Sequence, residues 1–426
     1  MTVWMAGLVD GRDARYTTYE PPHLLWVGLL IFCLKLASRR QIRHELDTQA
    51  ALENLGRLCG HGQDAVAHPD SVNYYLTRLP AGELENLRDR MIQRLIRMKV
   101  LDSQRLAGAL LIAVDATGQL SFGDRRHCEH CLSKKSGDGI LYYHPVLEAK
   151  LVTPGGLAFS IATEFIQNPD PNPSKQDCEL KAFARLAEQI KSRYPQLRLC
   201  FLFDGLYANG TVFEICRENG WQFIVTFKEG SLPALWREYQ TTKFQQRENR
   251  CQQVIEPAGQ SSPRRQSFAW ANGLDHVDDQ GRRHQLNAFE CREECDGKST
   301  TFVWLSNIAL NHARQVMTLA NSGGRCRWKI ENEGFNIQKN GGYALEHVYS
   351  THRQAWKHWY VILQIAHILM QLLERGNLLG NVQRVYGSFK AFARRLAESL
   401  RFQLIEPWVI DPALCGRIQI RLNGSS

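Results

Sequence analysis

The sequence lacks the features that would take it into or across a membrane. Its apolar run from Leu24 to Ala37 is too short to span a bilayer and contains Lys35, so it reads as a buried helix. The run also lies behind Asp10, Asp13 and Glu20, too far along the chain for a signal peptide. With no export signal, the expected location is the cytoplasm, where the 12 cysteines should be mostly reduced or metal-bound rather than disulfide-bridged. There is no internal repeat and no low-complexity tract, and the apolar and charged fractions are ordinary, so neither a repeat array nor wholesale disorder is expected. Acidic residues are in deficit: 43 Asp and Glu stand against 52 Lys and Arg, a net charge of +9. That balance favours a polyanionic partner and leaves DNA, RNA and an acidic membrane surface open.

What is present falls into three textures within 426 residues, enough for two or three domains. The first hundred residues look helical. Between about Pro80 and Val100, Leu87, Met91, Leu95 and Met98 recur at helical spacing, with Arg88, Arg90, Arg94, Arg97 and Lys99 between them. Those cations read either as a solvated face or as contacts to a phosphate backbone. After Ala107 an α/β pattern begins. The unalternated run Ala109–Val114 predicts a strand buried on both faces and ending at Asp115. Strands near 145–153 and 157–165 flank the turn Pro154-Gly155-Gly156, and 175–194 is an amphipathic helix. Leu197–Phe203 is a second buried strand, stopping at Asp204-Gly205; a helix near 209–219 and the strand Phe223–Phe227 follow. Residues 236–298 are polar, with short strands near 265–270 and 285–291, before the strand Thr301–Leu305. From His312 the chain turns helical again, and Trp356–Leu373 is a buried helix.

Two buried strands that each stop at an Asp are the most informative local feature. Desolvation would penalise a carboxylate inside an apolar run, so both are expected at open strand ends, where open α/β sheets bind ligands. Adjacent strands are about 5 Å apart, so Asp115 and Asp204 could share a Mg²⁺, a hard cation that takes one or two carboxylates plus substrate phosphates. Alternatively, either Asp caps the turn that follows it. Further on, Arg327 and Glu331 are four residues apart, on one face of a helix.

The segments Ile112-Ala113-Val114-Asp115-Ala116-Thr117-Gly118, Leu202-Phe203-Asp204-Gly205-Leu206-Tyr207 and Arg327-Trp328-Lys329-Ile330-Glu331 resemble the three motifs of bacterial insertion-sequence transposases of the DDE type. In particular they resemble the group whose third motif is Tyr-x2-Arg-x3-Glu-x6-Lys. The resemblance covers roughly residues 70–375. It implies a ribonuclease H-like mixed sheet with flanking helices, with the first Asp on the first strand, the second on the fourth, and the Glu on a helix after an insertion. It also implies Asp115, Asp204 and Glu331 holding two Mg²⁺ or Mn²⁺ ions for DNA strand cleavage and transfer, with Arg327 on DNA near the scissile phosphate. The implied partners are double-stranded DNA, as inverted-repeat transposon ends and target, and a second copy of the chain; no membrane is involved. The expected organisation is a helical DNA-binding domain over 1–105, a catalytic core over 106–235 and 301–378 interrupted by a β-rich insertion over 236–300, and a C-terminal region over 379–426. The sequence departs from the motif twice. Gly324 stands where the Tyr should be, and Gln338 where the Lys should be, with Lys339 one residue later. Lys339 is carried as a DNA-binding candidate that needs a bulged or ending helix to reach the same phosphate.

Other candidates carry two readings each. Cys128 and Cys131 form a Cys-x2-Cys knuckle with His144 nearby, suited to structural zinc or else reduced, since no second knuckle exists. Lys228, after the strand at 223–227, is either a DNA contact or a solvated charge. Trp304 either stacks on an everted base or belongs to the core, and His347 and His352 read as polar scaffold. Two other functional readings remain: a transposase-derived DNA-binding protein that no longer cuts, and a zinc-dependent DNA-binding regulator built on His127–Cys131.

Overall fold

The computed structural model describes residues 1–125, 130–170, 173, 175–256, 263–379, 382–406, 408–409 and 419–422. Helices fill the first hundred residues: α1 (Thr2–Ala6), α2 (Pro21–Cys33), α3 (Gln41–Leu46), α4 (Gln49–Cys59), α5 (Pro69–Arg78) and α6 (Glu83–Arg97). Pro at the start of α2 and α5 costs no backbone hydrogen bond there, and the Thr48 hydroxyl caps α4 by accepting from Ala51 N–H. α2 has no polar face: nearly every residue in it is buried, because it packs against the long α12 (Ala355–Arg375) on one side and α4 and α5 on the other. The first hundred residues therefore share one apolar core with the rest of the chain. The texture change near residue 105 is a change of secondary structure, with no gap in packing.

Ten strands form one mixed sheet among the described residues: β1 (Leu110–Phe122), β2 (Leu132–Ser136), β3 (Gly139–Val152), β4 (Ala158–Phe165), β5 (Leu199–Phe203), β6 (Gln222–Thr226), β7 (Arg250–Ile255), β8 (Arg264–Val277), β9 (Arg283–Cys295) and β10 (Lys298–Ser306). The order is β2-β3-β1-β5-β6-β10-β9-β8-β7, with β4 on β3. β1, β5 and β6 run parallel to one another, and every other pairing is antiparallel. The connections explain the split: β5 is reached through α7 (Glu179–Arg193) and β6 through α8 (Gly210–Asn219), whereas β3 and β4 join at a tight turn. The 236–300 region opens with α9 (Pro233–Gln245) and then extends the main sheet, because β9 pairs along the whole of β10.

Strand alternation sorts the residues by face. Phe201 and Phe203 turn towards α7, where Phe183 meets both rings edge-on. Ala113, Asp115, Leu202 and Asp204 belong to the opposite face, which the irregular helical segment 313–340 covers. On that covered face lies a buried polar lattice. Arg88 of α6 donates to Ser160 Oγ at 3.1 Å and Thr163 Oγ1 at 2.6 Å, and Thr163 donates to Glu148 at 2.5 Å. Lys150 Nζ lies 3.5 Å from Glu148 and donates to Gln364 of α12 at 2.5 Å. The structure thus removes Arg88 from the expected basic face: it is fully buried, while Arg90, Arg94, Arg97 and Lys99 are exposed. The physical reason is the helical period: Arg88 shares the inward face of α6 with Leu84, Leu87, Met91 and Ile92.

Removing one member of a buried charged set leaves its partners unmatched, at a cost of about 3–5 kcal/mol. Arg88→Met should therefore lower unfolding free energy in urea by about that amount, whereas Arg94→Ala on the exposed side should stay within about 0.5 kcal/mol of wild type.

Candidate active site

Asp115 does not end its strand. β1 runs seven residues further and stays paired with β3, Asp115 lying opposite Glu148. What stops is the parallel pairing with β5, whose last rung is Ala113 with Leu202. Extended by two residues, that register would bring Asp115 level with Asp204, one strand spacing of about 5 Å away. The buried run therefore signals the end of a ladder, and the notch where β5 ends admits a carboxylate.

Asp204 follows the last residue of β5, and its Oδ1 accepts from Leu206 N–H at 2.9 Å, capping the turn Gly205–Tyr207. The capping and site readings are compatible, because a carboxylate has a second oxygen. Lys228 is exposed in the turn after β6, at the same end of the sheet: Phe203 pairs with Val225, which sets Asp204 level with Thr226.

Glu331 lies on the 313–340 segment, which is helical but not a regular α-helix. α10 (Ala313–Thr318) passes into wide π turns at Leu319–Gly323, a tight 3₁₀ stretch at Gly324–Trp328 and wide turns again at Ile330–Asn336, before α11 (Ile337–Asn340). Such breaks re-aim side chains and recur at functional sites. Here they bring Arg327 between two carboxylates, with Nη1 3.4 Å from Asp115 and Nη2 2.9 Å from Glu331. The helix approaches the sheet closely because Gly334 has no side chain; a Cβ there would meet Lys150 at 3.1 Å.

The pair Asp115–Glu331 is electrostatically unbalanced. Burial first, then hydrogen bonding to and repulsion by Glu331, push the Asp115 carboxyl up to about 7, against the pull of Arg327 and of Ala116 N–H. Two further groups not expected from the sequence face this region. The Tyr207 hydroxyl, buried, donates to Glu179 at 3.4 Å, and its own ionisation is suppressed by burial and by Glu179, Asp204 and Asp115. Burial and the charge of Asp204 raise the Glu179 carboxyl. Trp328, half-exposed, carries the Arg327 guanidinium over its ring at 4.5 Å. Glu179 lay unmarked because it opens an ordinary amphipathic helix, and only the fold brings it to Asp204.

Several expected sites are placed elsewhere. Trp304 is 4% exposed, stacked with Phe289 and Phe302 in the core, so its ring is not open to a base. That position accounts for Gly324: a Cβ on Gly324 would fall inside the Trp304 indole. The tryptophan fills the space that any side chain at 324 would need. Lys339 is ion-paired to Glu346 at 2.8 Å, and Gln338 beside it is buried against Gln364 and His367. Cys128 lies outside the described residues. The sulfur of Cys131 is in a disulfide, whereas the nine other described cysteines are free thiols, as expected for most of them. Cys131 Sγ lies 3.9 Å from His144 Nε2. His347 and His352 flank the start of α12, and His352 Nδ1 accepts from Gln354 N–H at 3.3 Å.

Among the described residues, no three His, Cys, Asp or Glu side chains are gathered tightly enough to enclose a metal ion as they stand. No helix among them is long and apolar enough to cross a membrane. Compared with models of protein families and with curated proteins, the chain matches none.

Two outcomes follow from this geometry. The folded chain keeps on Asp115, up to about pH 7, a proton that an unfolded Asp releases near 3.8. This preference favours folding fully below pH 3.8 and is lost as pH rises through 7. Asp115→Asn, which stays neutral, should therefore gain about 2–3 kcal/mol relative to wild type between pH 5 and pH 8 without divalent ions; parallel pH–stability profiles would refute the pairing. Gly324→Ala should cost about 1–3 kcal/mol by overpacking against Trp304. Combining Gly324→Tyr with Trp304→Gly should destabilise less than the sum of the two single changes.

Proposed function

We propose that this chain is a DNA transposase of the DDE type, with a ribonuclease H-like catalytic core and Asp115, Asp204 and Glu331 as its catalytic carboxylates. The observation that carries the reading is the convergence of three segments far apart in sequence. The β1–β5 register, extended by two residues, would bring Asp115 level with Asp204, and Arg327 bridges Asp115 and Glu331. The strand count supports it too. In the core β4-β3-β1-β5-β6, taken in chain order, the first Asp is on the first strand and the second closes the fourth, and the sheet extension β7–β9 precedes the helix bearing the Glu.

The donor set fits Mg²⁺ or Mn²⁺ in charge and in atom type. Asp115 and Glu331 both meet Arg327, and the charge of Glu331 raises the Asp115 carboxyl; a Mg²⁺ site commonly draws on one or two carboxylates with substrate phosphates completing it. Bound there, two divalent ions would supply Lewis acidity at the scissile phosphate and an activated water or 3′-hydroxyl. The chain's own residues would do the rest. Asp115 holds its carboxylate from within β1, and Asp204 holds its own from the capped turn that closes β5. Arg327 has a second partner in each carboxylate and can turn one donor to a DNA phosphate. Exposed Lys228 lies at the strand end where the duplex would enter. Inverted-repeat DNA ends, target DNA and a second copy of the chain in the complex are the proposed partners.

The test uses purified protein, DNA carrying the element's flanking inverted repeats, and Mg²⁺ or Mn²⁺. Wild type should nick the ends, and Asp204→Ala should bind with similar affinity but cut at least on the order of 1,000-fold more slowly. Normal cutting by Asp204→Ala would sink the site assignment; binding without cutting by wild type would reduce the chain to a DNA-binding protein.

A further inference from the structure

A concave basic pocket of about 760 Å³ lies among the N-terminal helices. Three of its walls come from separate parts of the chain: Arg39 and Arg40 from the turn into α3 with Arg43 and His44 from α3 itself, His68 from the start of α5, and His347 from the segment that follows the Glu331 helix. Its carboxylates are fewer than its cations. Asp70 is shared between His68, at 3.4 Å, and Arg39, at the long distance of 3.9 Å, and Asp47 is the other acid in the wall. Arg39 Nη1 is buried without a hydrogen-bond partner among the described residues. Arg40 and Arg43 are exposed and have no ion-pair partner among them.

The turn that presents these arginines is held in an unfavourable backbone. Lys35 and Ala37 both have left-handed φ, at 56° and 57°, each a cost of about 1 kcal/mol for a residue with a side chain. The segment after the Glu331 helix keeps them there. Gly342 lies so close that a Cβ would meet Lys35 Cβ at 2.9 Å, and Tyr349 donates to Ala37 O at 3.4 Å. A half-buried guanidinium with one buried nitrogen open to a hydrogen bond, two exposed neighbours without ion pairs and a strained presenting loop together describe a site prepared for an anion with several oxygens. We propose that this pocket binds the phosphodiester backbone of a DNA strand, through Arg39, Arg40 and Arg43, as a contact separate from the carboxylates. Arginines spread from the turn into the first turn of α3, two of them without ion pairs among the described residues, suit consecutive phosphates better than a single small anion. The choice of DNA rests on the function proposed above; the geometry of the pocket does not.

The experiment compares full-length wild type with Arg40→Ala/Arg43→Ala and Arg40→Lys/Arg43→Lys, by fluorescence anisotropy on a labelled 40-bp duplex over a range of salt. Mg²⁺-dependent nicking is read in parallel. Both arginines are exposed, so thermal unfolding should match wild type and exclude misfolding. The alanine pair should bind at least about 10-fold more weakly, with a salt slope smaller by about 2, and the lysine pair should recover most of the affinity. Unchanged affinity and slope would overturn the proposal while leaving the nicking result, and so the function, standing. Loss of binding in the alanine pair from a wild type that never nicks would uphold the pocket and sink the cleavage reading. If inorganic pyrophosphate raises the melting temperature of wild type but not of the alanine pair, and duplex affinity is equal in both, the pocket takes a small phosphate and the DNA assignment fails.

Discussion

Arg88, Glu148 and Lys150 are charged side chains with no exposed surface, and ions that far from water must be matched by opposite charge and hydrogen bonds. The matching ties the molecule together. Arg88 comes from the N-terminal helices, Glu148 and Lys150 from the second core strand, Thr163 from the third, and Gln364 from the long C-terminal helix. Each must be in place for the others to be satisfied, so the lattice fixes how the helical layer sits on the sheet. Apolar packing alone would tolerate sliding; directional bonds to a buried carboxylate do not.

The carboxylates depend on this frame. Glu148 is the cross-strand neighbour of Asp115, and Lys150 lies under Gly334, three residues after Glu331. The helical segment that delivers Arg327 and Glu331 therefore rests on the same side chains that hold α6 and α12. Its alternation of wide and tight turns departs from the regular helix, and the departure is sustained by close contacts, Gly324 against Trp304 and Gly334 against Lys150. Irregular geometry at the site is thus stabilised by regular packing beneath it.

Much of this was legible in the chain. The apolar run before Asp204, the Pro-Gly-Gly turn between β3 and β4, the amphipathic α7 and the buried α12 all stand where pattern puts them, because burial on one or both faces leaves a direct imprint on hydrophobic order. Three things were not legible. The apolar run before Asp115 reads as a strand that stops, since sequence shows burial and not which neighbour ends; β1 continues on the β3 side. Arg88 reads as one of five surface cations, because helical period does not say that a charged partner waits inside. Trp304 and Gly324 look unrelated at twenty residues' separation, although each occupies the space the other leaves.

By itself the sequence determined the types of element, the place of Asp204 at the end of its strand, and an excess of positive charge, all of which follow from local periodicity and composition. Only the tertiary structure decided that the parallel ladder stops short of Asp115, that Arg327 reaches two carboxylates at once, that Glu179 and Tyr207 face the same ground, and that arginines from the turn before α3 meet a histidine 300 residues downstream. These depend on strand register, on the breaks in the 313–340 helix and on contacts between distant segments. Such relations are set by the packing of the whole chain, and no window of neighbouring residues encodes them.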